Sequence, residues 1–223
     1  PTGLTISVEK QVSLAKAALE AGVAFVLFDW MYHYVTDESP MDLNSFLKHF
    51  TPEERKRLMF LDGLTKSLGA SNIRNCHLIA DESVIKFIVA RSSHTVIPPF
   101  YSLAVAMAAY EMGFSEAAKT IIEPTNASRV ALKKLLAESG MQHIIGKGYY
   151  AFINVGEFIT AKGWADSEPL GQYLAENHGV AIVPGAFFSP FGADWVRFSY
   201  ATPVERTEGA FKRLIEGLNS LKG

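Results

Sequence analysis

Apolar positions in the first third of the chain fall into short unbroken runs separated by helical stretches. Ser7 can cap an alanine-rich helix that runs to about Glu20 and is ended by Gly22. Ala24 to Phe28 then predicts a buried strand finishing at Asp29. Thr51-Pro52-Glu53-Glu54 has the capping-box pattern with proline at the first helical position, and Leu58 to Leu61 predicts a second strand ending at Asp62. A third strand is expected at His77 to Ala80. Strands of continuous apolar character alternating with helices argue for an α/β layer on a mostly parallel sheet, where ligands collect at the carboxyl ends of the strands.

From Asp81 to about Leu136 the pattern is largely helical, with Pro98-Pro99 separating two helices and Pro124 expected to kink or end another. Beyond it, Tyr149 to Asn154, Val180 to Val183 and Trp195 to Ser199 predict short strands. Thr202-Pro203-Val204-Glu205 opens a final amphipathic helix to about Leu221. The expected organisation is therefore a sheet domain over residues 1–126 and a smaller α+β domain over residues 127–223, with no internal repeat.

Composition narrows the function. With 223 residues, 48% hydrophobic and 20% charged, the chain belongs with soluble globular proteins able to bury a real core. A formal net charge of -2, with no run of like charges, gives no reason to expect nucleic acid or an anionic membrane as partner and points to a small molecule. The most apolar stretch, Gly22 to Met31, is interrupted by Asp29 and is far shorter than the roughly 20 residues that span a bilayer. Cys76 is the single cysteine, so neither an intrachain disulfide nor a cysteine-built metal site is expected, and cytoplasm is the default compartment. Pro1-Thr2-Gly3 is turn chemistry without a start methionine, so the sequence reads as one that begins mid-protein.

Five residues stand out, although each has an ordinary reading when taken singly. Asp29 and Tyr32 follow a strand, Lys66 lies in the glycine-flanked turn Gly63-Leu-Thr-Lys-Ser-Leu-Gly69, and Arg74 follows eight residues later. Arg197 is central in an otherwise apolar strand, where a guanidinium calls for an anion nearby. By strand alternation it shares a face with Trp195 and Ser199. Their order and spacing resemble the fold-type-I pyridoxal-phosphate enzymes, specifically the class I and II aminotransferases, over nearly the whole chain. Pro1-Thr2-Gly3 resembles the family's Asn-Pro-Thr-Gly turn without its asparagine, Asp29-Trp-Met-Tyr32 its Asp-x-x-Tyr, and Thr65-Lys66 with Arg74 its lysine and phosphate arginine. Gly148-Tyr-Tyr-Ala-Phe152, Val183-Pro-Gly185 with Phe187-Phe188, and Arg197-Phe-Ser-Tyr-Ala-Thr-Pro203 resemble three segments of its small domain.

The resemblance implies the C-terminal part of the large cofactor-binding domain followed by the small domain, and pyridoxal 5'-phosphate as cofactor. It implies that Lys66 carries the cofactor and serves as base, Asp29 faces the pyridine nitrogen, Tyr32 the ring's phenolic oxygen, and Thr65 and Arg74 the phosphate side. Arg197 would hold the substrate's α-carboxylate. The reaction implied is amino transfer between an amino acid and a 2-oxo acid by a cytoplasmic homodimer. β-Lyases, decarboxylases and synthases of the same scaffold, and a non-catalytic truncated homologue, are the alternatives. Two departures bear on the phosphate: Gly63 stands where the family often has serine, and Asn72 and Cys76 stand where glycines commonly flank the arginine.

Overall fold

The computed structural model describes residues 1–36, 42–92 and 99–222. The chain divides into two compact units, Ile6–Ile122 and Glu123–Gly223, the latter joined by Pro1–Thr5.

In the unit Ile6–Ile122, helix α1 (Val8–Glu20) starts where a hydroxyl can satisfy an orphan amide: Ser7 Oγ accepts from the Lys10 N–H at 3.3 Å. Strand β1 (Val26–Asp29) pairs in parallel with β2 (Leu58–Gly63), with Asp29 opposite Leu61. Between them, among the described residues, lie three short helices, α2 (His33–Thr36), α3 (Leu43–Leu47) and α4 (Pro52–Arg55). The capping box that opens α4 is reciprocal: Glu54 N–H donates to Thr51 Oγ1 at 3.2 Å, and Thr51 N–H to Glu54 Oε2 at 2.7 Å.

Helix α5 (Leu64–Ser67) continues β2 without a loop, and β3 (Cys76–Ala80) then returns along β2 in the antiparallel sense. The three-stranded sheet has the order β1-β2-β3, so one of its two pairings is parallel. The link between β2 and β3 contains a single helical turn, too short for the crossover that a parallel neighbour needs. Phe46, Phe50, Leu58 and Phe60 form the core on one face, where Phe28 stacks on Phe60 with ring centroids 5.0 Å apart. The apolar run expected to be a buried strand is buried on one side only. Leu27 is 52% and Ile79 44% exposed, because the described residues of this unit cover a single face of the sheet.

Among the described residues three helices follow, α6 (Glu82–Ser92), α7 (Phe100–Met112) and α8 (Phe114–Ser139). The break expected at Pro98-Pro99 lies partly outside the described residues, but Pro99 is the N-cap of α7. Pro124 does not end α8, which runs on to Ser139 with the proline inside it.

The second unit is built on a four-stranded antiparallel sheet of order β4-β5-β7-β6. Its strands are β4 (His143–Ile145), β5 (Tyr150–Asn154), β6 (Val183–Pro184) and β7 (Trp195–Ser199). Helices α9 (Gly156–Ala161), α10 (Glu168–His178) and α11 (Val204–Ser220) complete it, and residues such as Ile153, Leu170, Leu174, Val196 and Leu214 fill its core. The strand expected from Val180 contracts to Val183–Pro184, since Gly179 in the left-handed region closes α10 just before it. Gly3 adopts a φ of +71° against this sheet, where a Cβ would collide with the Tyr150 carbonyl.

Candidate active site

Because β1 and β2 are adjacent and parallel, their carboxyl ends open on the same edge of the sheet. Asp29 ends β1 with an exposed carboxylate whose Oδ1 accepts the Met31 N–H at 3.2 Å, turning the chain toward α2. Tyr32 precedes α2 and its carbonyl receives the Val35 and Thr36 amides, each at 2.9 Å. Lys66 lies half-buried in α5, which is anchored by Leu64 packed among Ala106, Ala109 and Phe114. Helices α2 and α5 pack on each other, and Lys66 Nζ sits 5.6 Å from the centre of the Tyr32 ring. Thr65 is half-buried on the same short helix.

The residues expected on the phosphate side are arranged less simply. At Gly63 a Cβ would fall 2.7 Å from both the Asn75 carbonyl oxygen and the Cys76 Cα, so any side chain there would force β3 to shift. Arg74 is exposed, has a φ of 57°, and donates from Nη1 to the Ser71 carbonyl at 3.0 Å.

Sequence reasoning passed over the groups beneath this edge. Asp62 is buried at the end of β2, where Oδ1 accepts the Gly63 N–H at 2.7 Å and Oδ2 lies 3.6 Å from His33 Nδ1. Burial, and after it the charge of Asp62, raises the phenol of Tyr34 and pushes that of Tyr110 up to about 12. Tyr110 Oη is in turn hydrogen-bonded to His77 Nδ1 at 2.8 Å. The one signal in the sequence was that His33 adjoins Tyr32 and that Asp62 interrupts an apolar run; their pairing is tertiary.

Arg197 belongs to the other compact unit, in the middle of β7. Val196 and Phe198 point into the core, leaving Trp195, Arg197 and Ser199 on the open face. The guanidinium carbon lies 4.2 Å from the Tyr150 ring centre and 5.0 Å from that of Phe188, so aromatic rings flank it. No carboxylate pairs with it among the described residues. A guanidinium so flanked can meet an anion in its own plane.

The family model for aminotransferase class I and II matches residues 1–214. The chain belongs to that family. A probable N-acetyl-LL-diaminopimelate aminotransferase of Bacillus subtilis (strain 168) is 28% identical over 96% of this chain and 52% of its own length. An aspartate aminotransferase of Geobacillus stearothermophilus is 27% identical, covering 96% of this chain and 54% of its own. Thus this class I and II aminotransferase chain spans about half the length of the curated relatives it matches. Among solved structures, an aromatic aminotransferase from Pyrococcus horikoshii OT3 superposes with a TM-score of 0.82 at 22% identity, over 100% of this chain and 58% of that one. An aminotransferase from Mycobacterium tuberculosis gives 0.82 at 22% identity, over 99% and 55%. These likenesses establish the mixed α/β fold of the family. Among the described residues no helix is long and apolar enough to cross a membrane.

Proposed function

We propose that the protein to which this chain belongs is a pyridoxal-phosphate-dependent aminotransferase that moves an amino group between an amino acid and a 2-oxo acid. The observation that carries the proposal is the meeting of Lys66 with Tyr32 at the shared carboxyl edge of β1 and β2, next to Asp29. An amine, a phenol and a carboxylate at one strand edge are the donor set that the ring of this cofactor requires, and Thr65 and Arg74 supply a hydroxyl and a guanidinium for its phosphate. The fit has two departures, since Gly63 can offer no hydroxyl and Asn72 and Cys76, rather than glycines, flank Arg74.

When bound, the cofactor supplies a conjugated ring that takes up the electron pair released at the substrate's α-carbon. Asp29 holds a proton on the pyridine nitrogen, and Tyr32 Oη donates a hydrogen bond to the ring's phenolic oxygen. Lys66 Nζ would hold the cofactor and would serve as the base that moves the proton at the substrate's α-carbon. Arg197 orients the substrate by gripping its α-carboxylate in the plane of the guanidinium fork. Residues 1–126 as the end of the large domain and 127–223 as the small domain belong to the same reading. So does a homodimer, supported by the apolar side chains that α7 exposes, Phe100 at 87%, Met107 at 61% and Met112 at 65%. The single cysteine fits the cytoplasm.

Lys66→Ala in the full-length protein tests the assignment. The circular dichroism spectrum should stay that of the wild type, amino transfer should be abolished, and borohydride reduction should no longer fix the cofactor to the protein. Turnover near wild type would refute the role of Lys66.

A further inference from the structure

The Asp62–His33 pair lies beside the residues just assigned and has no part in that chemistry. Asp62 is 7% exposed at the end of β2, and the Gly63 amide at 2.7 Å is its neighbour on one side, with His33 Nδ1 at 3.6 Å from its other oxygen. His33 follows Tyr32 directly. Its imidazole lies between the rings of Trp30 and Tyr34, with centroids at 4.8 Å and 4.9 Å, while its Nε2 is buried and makes no hydrogen bond among the described residues. Such a ring, packed on two neighbours and turned by one nitrogen toward a buried carboxylate, has little freedom.

The two ends of the pair are attached to the two residues that matter most. His33 opens α2, so its position fixes where Tyr32 enters that helix, and Asp62 stands one helical turn ahead of Lys66, at the strand end from which α5 departs. The other titratable groups around Asp62 are the phenols of Tyr34 and Tyr110, with His77 opposite it on β3. His77 is turned toward Tyr110, so His33 is the imidazole that faces the carboxylate. Resting on the reading that Lys66 and Tyr32 hold the cofactor, we propose that the Asp62–His33 pair is a positioning device that sets Tyr32 against Lys66. Through that separation it sets the hydrogen bond given by Tyr32 to the bound ring.

The test uses the full-length protein loaded with pyridoxal 5'-phosphate and follows the absorption of the bound cofactor as pH is varied. Tyr32→Phe should move the midpoint of that titration by about one pH unit, or about tenfold in proton binding. Asp62→Asn and His33→Asn should each move it in the same direction, and Asp62→Asn combined with Tyr32→Phe should move it no further than Tyr32→Phe alone. Should Asp62→Asn fail to fold, His33→Asn, which leaves Asp62 its Gly63 amide, carries the same comparison. A merely structural pair would lower the melting temperature and leave the midpoint in place, or add its shift to that of Tyr32→Phe, and either result overturns the proposal. If the wild type shows no cofactor absorption, the functional reading itself fails and this inference with it. If wild type and Tyr32→Phe behave as stated while both pair variants match wild type, only the positioning role falls.

Discussion

Introducing at position 63 the serine that the family resemblance leads one to expect should damage this protein. Gly63→Ser places a Cβ 2.7 Å from the Asn75 oxygen, 2.7 Å from the Cys76 Cα and 2.9 Å from the Cys76 Cβ. Two of these are backbone atoms that cannot rotate aside, so β3 must back away from β2 where Gly63 faces Cys76 and the Leu64 N–H donates to the Asn75 carbonyl at 3.3 Å. Overpacking of this kind costs about 1–3 kcal/mol, and a weakened ladder hydrogen bond adds about 1 kcal/mol, for a total of about 2–4 kcal/mol. At roughly 3–4 °C per kcal/mol for a domain of this size, the melting midpoint should fall by about 6–16 °C. Thermal unfolding of the full-length protein followed by circular dichroism measures this directly. Gly63→Ala should fall about as far, because the Cβ is the offender and the hydroxyl is not. Adding Cys76→Gly removes one of the three contacts and should recover part of the loss. A Gly63→Ser protein that melts within about 1 °C of wild type would show that β3 yields freely, and the argument would fail.

Two further outcomes are expected. With Arg197 in its proposed role, Arg197→Leu should lower kcat/KM on the order of a hundredfold, equivalent to about 3 kcal/mol, for aspartate, phenylalanine and alanine alike, and a loss below about threefold throughout would defeat the carboxylate role. Tyr200 is fully buried, and burial pushes its phenol up to about 12 against the opposing pull of Arg129. The unfolded phenol titrates near 10, so the contribution of Tyr200 to stability is whole below about pH 10 and is lost as pH rises toward 12. Urea midpoints at pH 8 and 11 should therefore converge in Tyr200→Phe relative to wild type; an unchanged difference would refute the assignment.

Local chemistry made much of this protein readable in one dimension. Ser7, the Thr51–Glu54 box and Gly22 mark boundaries because orphan amides and left-handed turns demand particular residues whatever surrounds them. The apolar runs before Asp29 and Asp62 became β1 and β2, and the order of Asp29, Tyr32, Thr65, Lys66, Arg74 and Arg197 was enough to point to the family whose model matches. What the runs could not carry was direction and cover. That β3 turns back antiparallel, and that Leu27 and Ile79 remain exposed, depends on the length of a link and on which surfaces are present to pack. Pro124, expected to kink or end a helix, lies within α8 without ending it, since tertiary packing outweighs one residue's preference.

The same division runs through the site. Sequence spacing determined that a carboxylate, a phenol and an amine follow strand ends, because turns after strands are where polar residues can be placed at little cost. Only the parallel pairing of β1 with β2 decided that those ends share an edge, bringing Lys66 onto the Tyr32 ring. Only the fold could bring His33 to Asp62, lay the rings of Tyr150 and Phe188 near Arg197, or press β3 so close that position 63 favours glycine. These contacts join residues far apart along the chain, and no local pattern records them: a side chain's partner across a sheet is set by register and twist, which belong to the whole assembly of strands.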